Sequence, residues 1–192
     1  VDVQISLNTA GISKLGFSTM LIAGWNPAML DRVSTVTSVD DMLEMGFAVD
    51  SEMYKAAQAA FSQTPRPRQV KLGRLNSNKY NVTVKAVKND IYTITFKWYD
   101  SSFNVVEKVV SFTNTGTDKS AIITGLKTAA NAIVGLSDVV TITATNDLVI
   151  TIKSAHVAVT TSENLSIDSV ADGTIAAGMT AIKAADNDFY GV

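Results

Sequence analysis

An α+β fold is the expectation for this chain: a discontinuous α/β layer made of residues 1–75 and 171–192, interrupted by an inserted β-rich α+β module at residues 76–170. Three observations predict it. Apolar residues recur at helical spacing before Pro65 and again after Asp172. Between those segments, alternation with a period of two dominates while threonine and valine rise. A chain of 192 residues that is 46% hydrophobic can also bury a core, as one or two domains.

Residues 1–75 read as strand, strand, strand, helix, helix, strand. Val1, Val3, Ile5 and Leu7 alternate with Asp2, Gln4 and Ser6, which is strand periodicity. Ser38 followed by Asp41 forms a capping box of the aspartate variety, and Gly46 can close that short helix. The next helix has Asp50 or Ser51 available as its cap, with Glu52 at its positive end. Met53, Ala56, Ala57, Ala60 and Phe61 then form one apolar stripe. Pro65 and Pro67 stop the helix and hold the connection extended, since neither supplies an N–H and each restricts the residue before it. Val70 and Leu72 alternate with Lys71 and Gly73, as in a half-buried strand.

In the middle, Tyr80, Val82, Val84 and Ala86 share one strand face, and Tyr92, Ile94, Phe96 and Trp98 share the next. Asn89-Asp90 between them suits a two-residue hairpin. Val140, Ile142 and Ala144, then Asn146-Asp147, then Leu148, Ile150 and Ile152 repeat the pattern, either as a duplication or as two independent hairpins. Ile122, Leu126, Ala129, Ala130 and Ile133 mark a helix begun near Asp118. From Asp172 a last helix places Ile175, Met179 and Ile182 on one side. The junction LGRLNSNK and the Ala171-Asp172-Gly173 turn are the expected crossings into and out of the module.

Several chemistries are excluded or disfavoured. A formal charge of −2 and a pI near 5.3 argue against a general nucleic-acid binder. The absence of cysteine removes disulfides and thiolate sites, and a single histidine, His156, removes histidine-rich metal centres. His156 alternates with Ala158 and Thr160 along a strand, the setting of an exposed or hydrogen-bonded histidine rather than a catalytic base. No G-x-S-x-G occurs, and Gly11 to Gly16 has phosphate-loop glycine spacing with Phe17 where the lysine must stand. Asp186, Asn187 and Asp188 offer too few oxygens for a calcium site and read as a solvated helix end. Asn81 and Asn164 are formal sequons without a secretory signal. The longest apolar run is too short to span a membrane. No cofactor, metal or catalytic residue is expected.

The charge pattern is more informative. Arg66, Arg68, Lys71, Arg74 and Lys79 stand with no acidic residue from Thr64 to Lys79. Asp31, Asp40, Asp41, Glu44, Asp50 and Glu52 face only Arg32. These runs are either two solvated surfaces or a heterologous contact in which one copy's basic elbow meets its neighbour's acidic helices.

The segment DSEMYKAAQAAFSQTPRPRQVKLGR, Asp50 to Arg74, resembles the "YKAA..FF.Q.PRP..v.iGR" line of contractile phage tail sheath proteins. Other segments resemble that family in the same order. VDVQISLNTAGISKLGFSTMLIAGW looks like its opening, with Ser18 and Met20 departing from "GFGTPLI". RVSTVTSVDDMLEMGF looks like "R...Y.s..dv...f", and AIKAADNDFYGV looks like the helix leading to an "NDWY" corner, with Phe189 for Trp. The resemblance covers the first 75 and the last 20 residues or so.

What the resemblance implies is a structural subunit, not an enzyme. The complete protein would stack as rings around a tail tube, in the virion, after assembly in the host cytoplasm. It would then switch lattices and drive the tube through the host envelope. Its partners would be other sheath copies and the tail tube protein, with no nucleic acid and no membrane span. Sheath terminal arms add strands to neighbouring sheets, a role that would fall to Val3 and Ile5. Arg66, Arg68, Lys71, Arg74, Asp40, Asp41 and Glu44 are the other candidate subunit contacts. Both chain ends look cut, so a monomeric fragment lacking the family's C-terminal domain is expected. The alternative is a carbohydrate or host-surface binding module, with Tyr92, Phe96, Trp98 and Tyr99 as its contacts.

Overall fold

The computed structural model describes residues 19–153 and 156–189, and the fold is α+β. The alternating N-terminal segment, with Val3 and Ile5, lies outside the described residues. Three short strands form the first sheet: β1 (Met20–Gly24), β2 (Val33–Val36) and β3 (Val70–Arg74). Their order is β1-β3-β2, with β1 parallel and β2 antiparallel to β3.

Helices cover both faces of that sheet. Helix α1 (Val39–Glu44) starts on the Ser38/Asp41 capping box. It ends in a Schellman turn, in which Phe47 N–H donates to the Met42 carbonyl and Gly46 N–H to that of Leu43. Gly46 adopts φ +89° there, and a Cβ would meet Thr160 Cγ2 at 2.6 Å, so only glycine fits. Helix α2 (Glu52–Phe61) is capped by Ser51 rather than Asp50. Its inward stripe is Met53, Tyr54, Ala57 and Ala60, with Phe61 half-buried; Ala56 turns outward. With Met29, Met42, Phe47, Val70 and Leu72 this stripe builds one core.

On the opposite face, helix α5 (Ile175–Ala185) sets Ile182 and Met179 against Leu21, Ala23 and Leu75. Ile175, expected on this stripe, is exposed. Gly73 makes the contact possible, because a Cβ there would lie 2.8 Å from Ile182 Cδ1 and 3.1 Å from Leu21 Cδ1. The half-buried reading of residues 70–74 is therefore corrected. All five residues of β3 are buried, since β3 is the central strand under helices on both sides.

Residues 77–171 form two further sheets around another core. Strands β4 (Ser77–Val84), β7 (Val140–Ala144), β8 (Leu148–Ile152) and β10 (Leu165–Ala171) pair in the order β10-β4-β8-β7. Strands β5 (Ile91–Tyr99), β6 (Val105–Thr113) and β9 (Ala158–Thr161) pair as β6-β5-β9. Helix α3 (Lys119–Asn131), capped by Asp118, adds Ile122, Ile123 and Leu126 to a core with Tyr80, Tyr92, Phe96 and Ile150. The short α4 (Leu136–Val139) follows it.

A hairpin forms between β7 and β8 at Asn146-Asp147, although its loop has three residues rather than two, Thr145 to Asp147, because Ala144 pairs with Leu148. The Asn89-Asp90 hairpin does not form: β4 and β5 belong to different sheets. That link is fixed as a crossing by Tyr92, whose hydroxyl donates to the Ala86 carbonyl at 2.7 Å and accepts from Lys88 N–H at 2.8 Å. Asn164 Nδ2 also donates to the Asp90 carboxylate at 2.7 Å. With one hairpin and one crossing, the two strand-Asn-Asp-strand segments do not share one structure.

The two chain passages between these regions meet at Asn76. Its carbonyl accepts from Asp172 N–H at 2.9 Å and from Trp25 Nε1 at 3.1 Å, and its side-chain oxygen accepts from Arg32 at 2.8 Å. Ser77 pairs with Ala171, and Ser77 Oγ donates to the Val170 carbonyl at 2.7 Å.

Candidate interaction surface

The proline elbow and helix α1 lie side by side in the same chain. Arg66 donates to the Thr37 carbonyl at 3.2 Å, and its guanidinium stacks 5.2 Å over the Phe61 ring. Arg68 is exposed beside it, and Thr64–Pro65 is a cis peptide. On α1, Asp40 and Glu44 are exposed. Asp41 is spent at home: its carboxylate accepts from the N–H groups of Thr37 and Ser38 and from both hydroxyls. Those bonds, the Thr37 N–H first, pull its pKa down to about 2.

Lys71 and Arg74 do not belong to the surface patch, because the central strand carries both inside. Lys71 Nζ lies 2.7 Å from Asp186 Oδ2 and 3.7 Å from Asp188 Oδ2, latching the end of α5 onto β3. The hydrogen bond from Lys71 is the main reason the Asp186 pKa falls below the ordinary carboxylate range. The acidic turn thus holds an ammonium group instead of standing solvated. Among the described residues no group of three His, Asp or Glu side chains could hold a metal ion.

Arg74 lines a cleft of about 370 Å³ together with Arg32, Asn76, Lys153, His156 and Asp172. Arg32 donates to the Arg74 backbone carbonyl at 2.9 Å; both arginines line the cleft, and the charge of Arg32 acts on the Arg74 guanidinium. Burial, and then the charge of Arg32, lower the Arg74 pKa to about 10. Of the two settings expected for His156, exposed or hydrogen-bonded, the second holds, although the ring is half-buried and lies outside the strand. His156 precedes β9, and its Nε2–H donates to the Met29 carbonyl at 2.7 Å, which leaves Nδ1 as a bare acceptor. Burial and the nearby Arg74 push its pKa down to about 3, so the ring is neutral at pH 7. Sequence reasoning missed this cluster. Arg32, Arg74 and His156 come from separate segments, and no local spacing announces them.

A larger open groove of about 1140 Å³ runs between α2 and strands β9 and β10, past Trp25, Met53 and Val159. Among the described residues that line it are acids, several hydroxyls and Lys85, but no histidine. The aromatic residues named for a glycan binder are mostly core: Tyr92, Phe96 and Trp98 are buried, while Tyr99 is half-buried and donates to Asp31 at 2.9 Å. Asn164 is also buried and hydrogen-bonded, unlike a glycosylation acceptor. No helix among the described residues is long and apolar enough to cross a membrane. Compared with known proteins, the chain matches no family model, and no curated protein matches it significantly.

Proposed function

We propose that the chain is part of a contractile phage tail sheath subunit, a structural protein that polymerises around a tail tube in the virion. The observation that carries this reading is the Lys71–Asp186 contact at 2.7 Å. It joins the third and fourth of the four segments that resemble the family, across 115 residues of chain. The other two supply β1, β2 and α1 of the same layer. Segments that share a resemblance and a packing unit support one origin for both.

In this reading the exposed pair Arg66 and Arg68 faces Asp40 and Glu44 of a second copy. The contact is heterologous, so repetition builds a helical lattice. Energy for injection is stored in two alternative lattice packings rather than in a catalysed reaction. Val3 and Ile5 would add a strand to a neighbour.

Negative-stain electron microscopy of this chain and of the complete subunit tests the proposal. Tubes or polysheaths from the complete subunit, with discrete particles from this chain, are the expected result. A complete subunit that stays monomeric across salt and pH overturns it.

A further inference from the structure

The cleft at Arg74 has the wrong charge balance for a purely structural feature. Arg74 is 6% exposed, and its Nε has no hydrogen-bond partner. Among the described residues neither Arg74 nor Arg32 takes part in an ion pair. A buried guanidinium normally has a carboxylate or several carbonyls around it, because five donors and a full charge leave water together. Here the arrangement runs the other way. Arg32 is held against Arg74 by two neutral acceptors, the Arg74 carbonyl and the Asn76 side-chain oxygen. Lys153, anchored on the Ser137 carbonyl, adds a third positive charge at the rim.

The opposing charge is small. Asp172 is the one carboxylate lining the cleft among the described residues. Asp31 acts on Arg74 from a distance and is already engaged by the Tyr99 hydroxyl. Three cations (Arg32, Arg74, Lys153) less one anion (Asp172) leave the lining at +2, with His156 neutral. A volume of about 370 Å³ exceeds what one small oxyanion and its waters require.

We propose that this cleft binds a small phosphate-type dianion, with the Arg74 and Arg32 guanidinium groups as its charged donors. Planar guanidinium forks match tetrahedral oxyanions bidentately, and a dianion cancels the +2 lining where a carboxylate leaves half of it. The site lies where the two chain passages meet at Asn76, so the bound anion also neutralises the repulsion between the arginines at that junction.

His156 provides the readout, because it is the chain's single histidine and lines the cleft. Its imidazole C2–H signal is followed by proton NMR while inorganic phosphate is added at constant ionic strength, with acetate and chloride as parallel titrants. The proposal expects a saturable shift with phosphate, half-complete at about 1 mM or below, and binding about ten-fold weaker for acetate. Arg74→Met abolishes saturation. Because that variant perturbs the core, Lys153→Met at the exposed rim serves as the second variant, weakening phosphate about two- to three-fold. A shift that is linear and equal for all three salts overturns the proposal. Acetate binding as tightly as phosphate overturns the dianion, and phosphate affinity unchanged in Lys153→Met overturns the placement.

Discussion

Breaking the Lys71–Asp186 latch from its two ends should cost different amounts. Lys71 is 7% exposed at its side chain, whereas Asp186 is 31% exposed. At 2.7 Å and an effective dielectric of 20 the gross attraction is about 6 kcal/mol, most of it offset by desolvation. In Asp186→Asn the ammonium stays buried with only Asp188 near it, at 3.7 Å and 60% exposed. Removing one partner of a fully buried pair costs about 3–5 kcal/mol, and the remaining help from Asp188 reduces this to about 2–3 kcal/mol. In Lys71→Met the orphaned carboxylate regains water through its exposed third and the methionine keeps the apolar stem, so the cost is about 1 kcal/mol. Urea unfolding followed by tryptophan fluorescence measures both. With a slope of about 2 kcal/mol/M, the two midpoints separate by about 0.5–1 M. The acid limb gives a second reading. Asp186 has a depressed pKa, so its contribution is full above the ordinary value of 3.8 and lost as pH falls below it. That loss should be smaller in Lys71→Met, where only the hydrogen bond from Asp188 N–H still holds the Asp186 pKa down. A Lys71→Met cost equal to or above that of Asp186→Asn would refute the exposure argument.

Five further outcomes follow from the packing, the caps and the surface charges. Gly125→Ala should destabilise by about 2 kcal/mol or more in thermal unfolding, because the new Cβ lies 2.2 Å from Phe112 ring carbons. Gly116→Ala, with nothing nearer than 3.9 Å, should change stability by less than about 0.5 kcal/mol. Ser38→Ala should cost about 1 kcal/mol through loss of the α1 cap, measured by urea titration. The Asp41 stabilisation is present above its unfolded pKa of 3.8 and disappears as pH falls to about 2, so wild type and Asp41→Asn should converge over that interval in an acid titration. Under the proposed function, Arg66→Glu with Arg68→Glu in the complete subunit should block tube formation and Asp40→Lys with Glu44→Lys should restore it, scored by electron microscopy; rescue that persists unchanged at high salt would contradict a contact screened over about 8 Å.

Much of the local structure was legible because it is encoded locally. Ser38, Asp41, Gly46, Ser51 and Asp118 announce helix ends through bonds that span at most five residues. Asn146-Asp147 does the same for a hairpin. What could not be read depends on distant chain. Asn89-Asp90 has the same turn chemistry, yet Tyr92 and Asn164 turn it into a crossing between sheets. Alternation at residues 70–74 looks half-buried because Lys71 and Gly73 are not apolar, but one is neutralised by α5 and the other makes room for it. Strand β6 escaped because Val105, Glu107, Val109 and Ser111 put mixed residues on an exposed face. For the candidate surface, Arg66, Arg68, Asp40 and Glu44 lie outside as expected, whereas Lys71, Arg74 and Asp41 found partners or burial within their own chain.

The meeting of both passages at Asn76 has a consequence for how such a chain can change over generations. Residue 76 and residue 172 are joined by a 2.9 Å hydrogen bond, so the excursion from 77 to 171 begins and ends at one spot. To β3 and α5, a two-residue turn closing that gap would be geometrically equivalent to the whole excursion. Closing entropy rises only with the logarithm of loop length, by about 0.6 kcal/mol per doubling. Insertions, deletions or wholesale exchange of that stretch can therefore be accepted at this seam while the latch at Lys71 stays where it is, leaving residues 77–171 free to diversify faster than the layer that carries them.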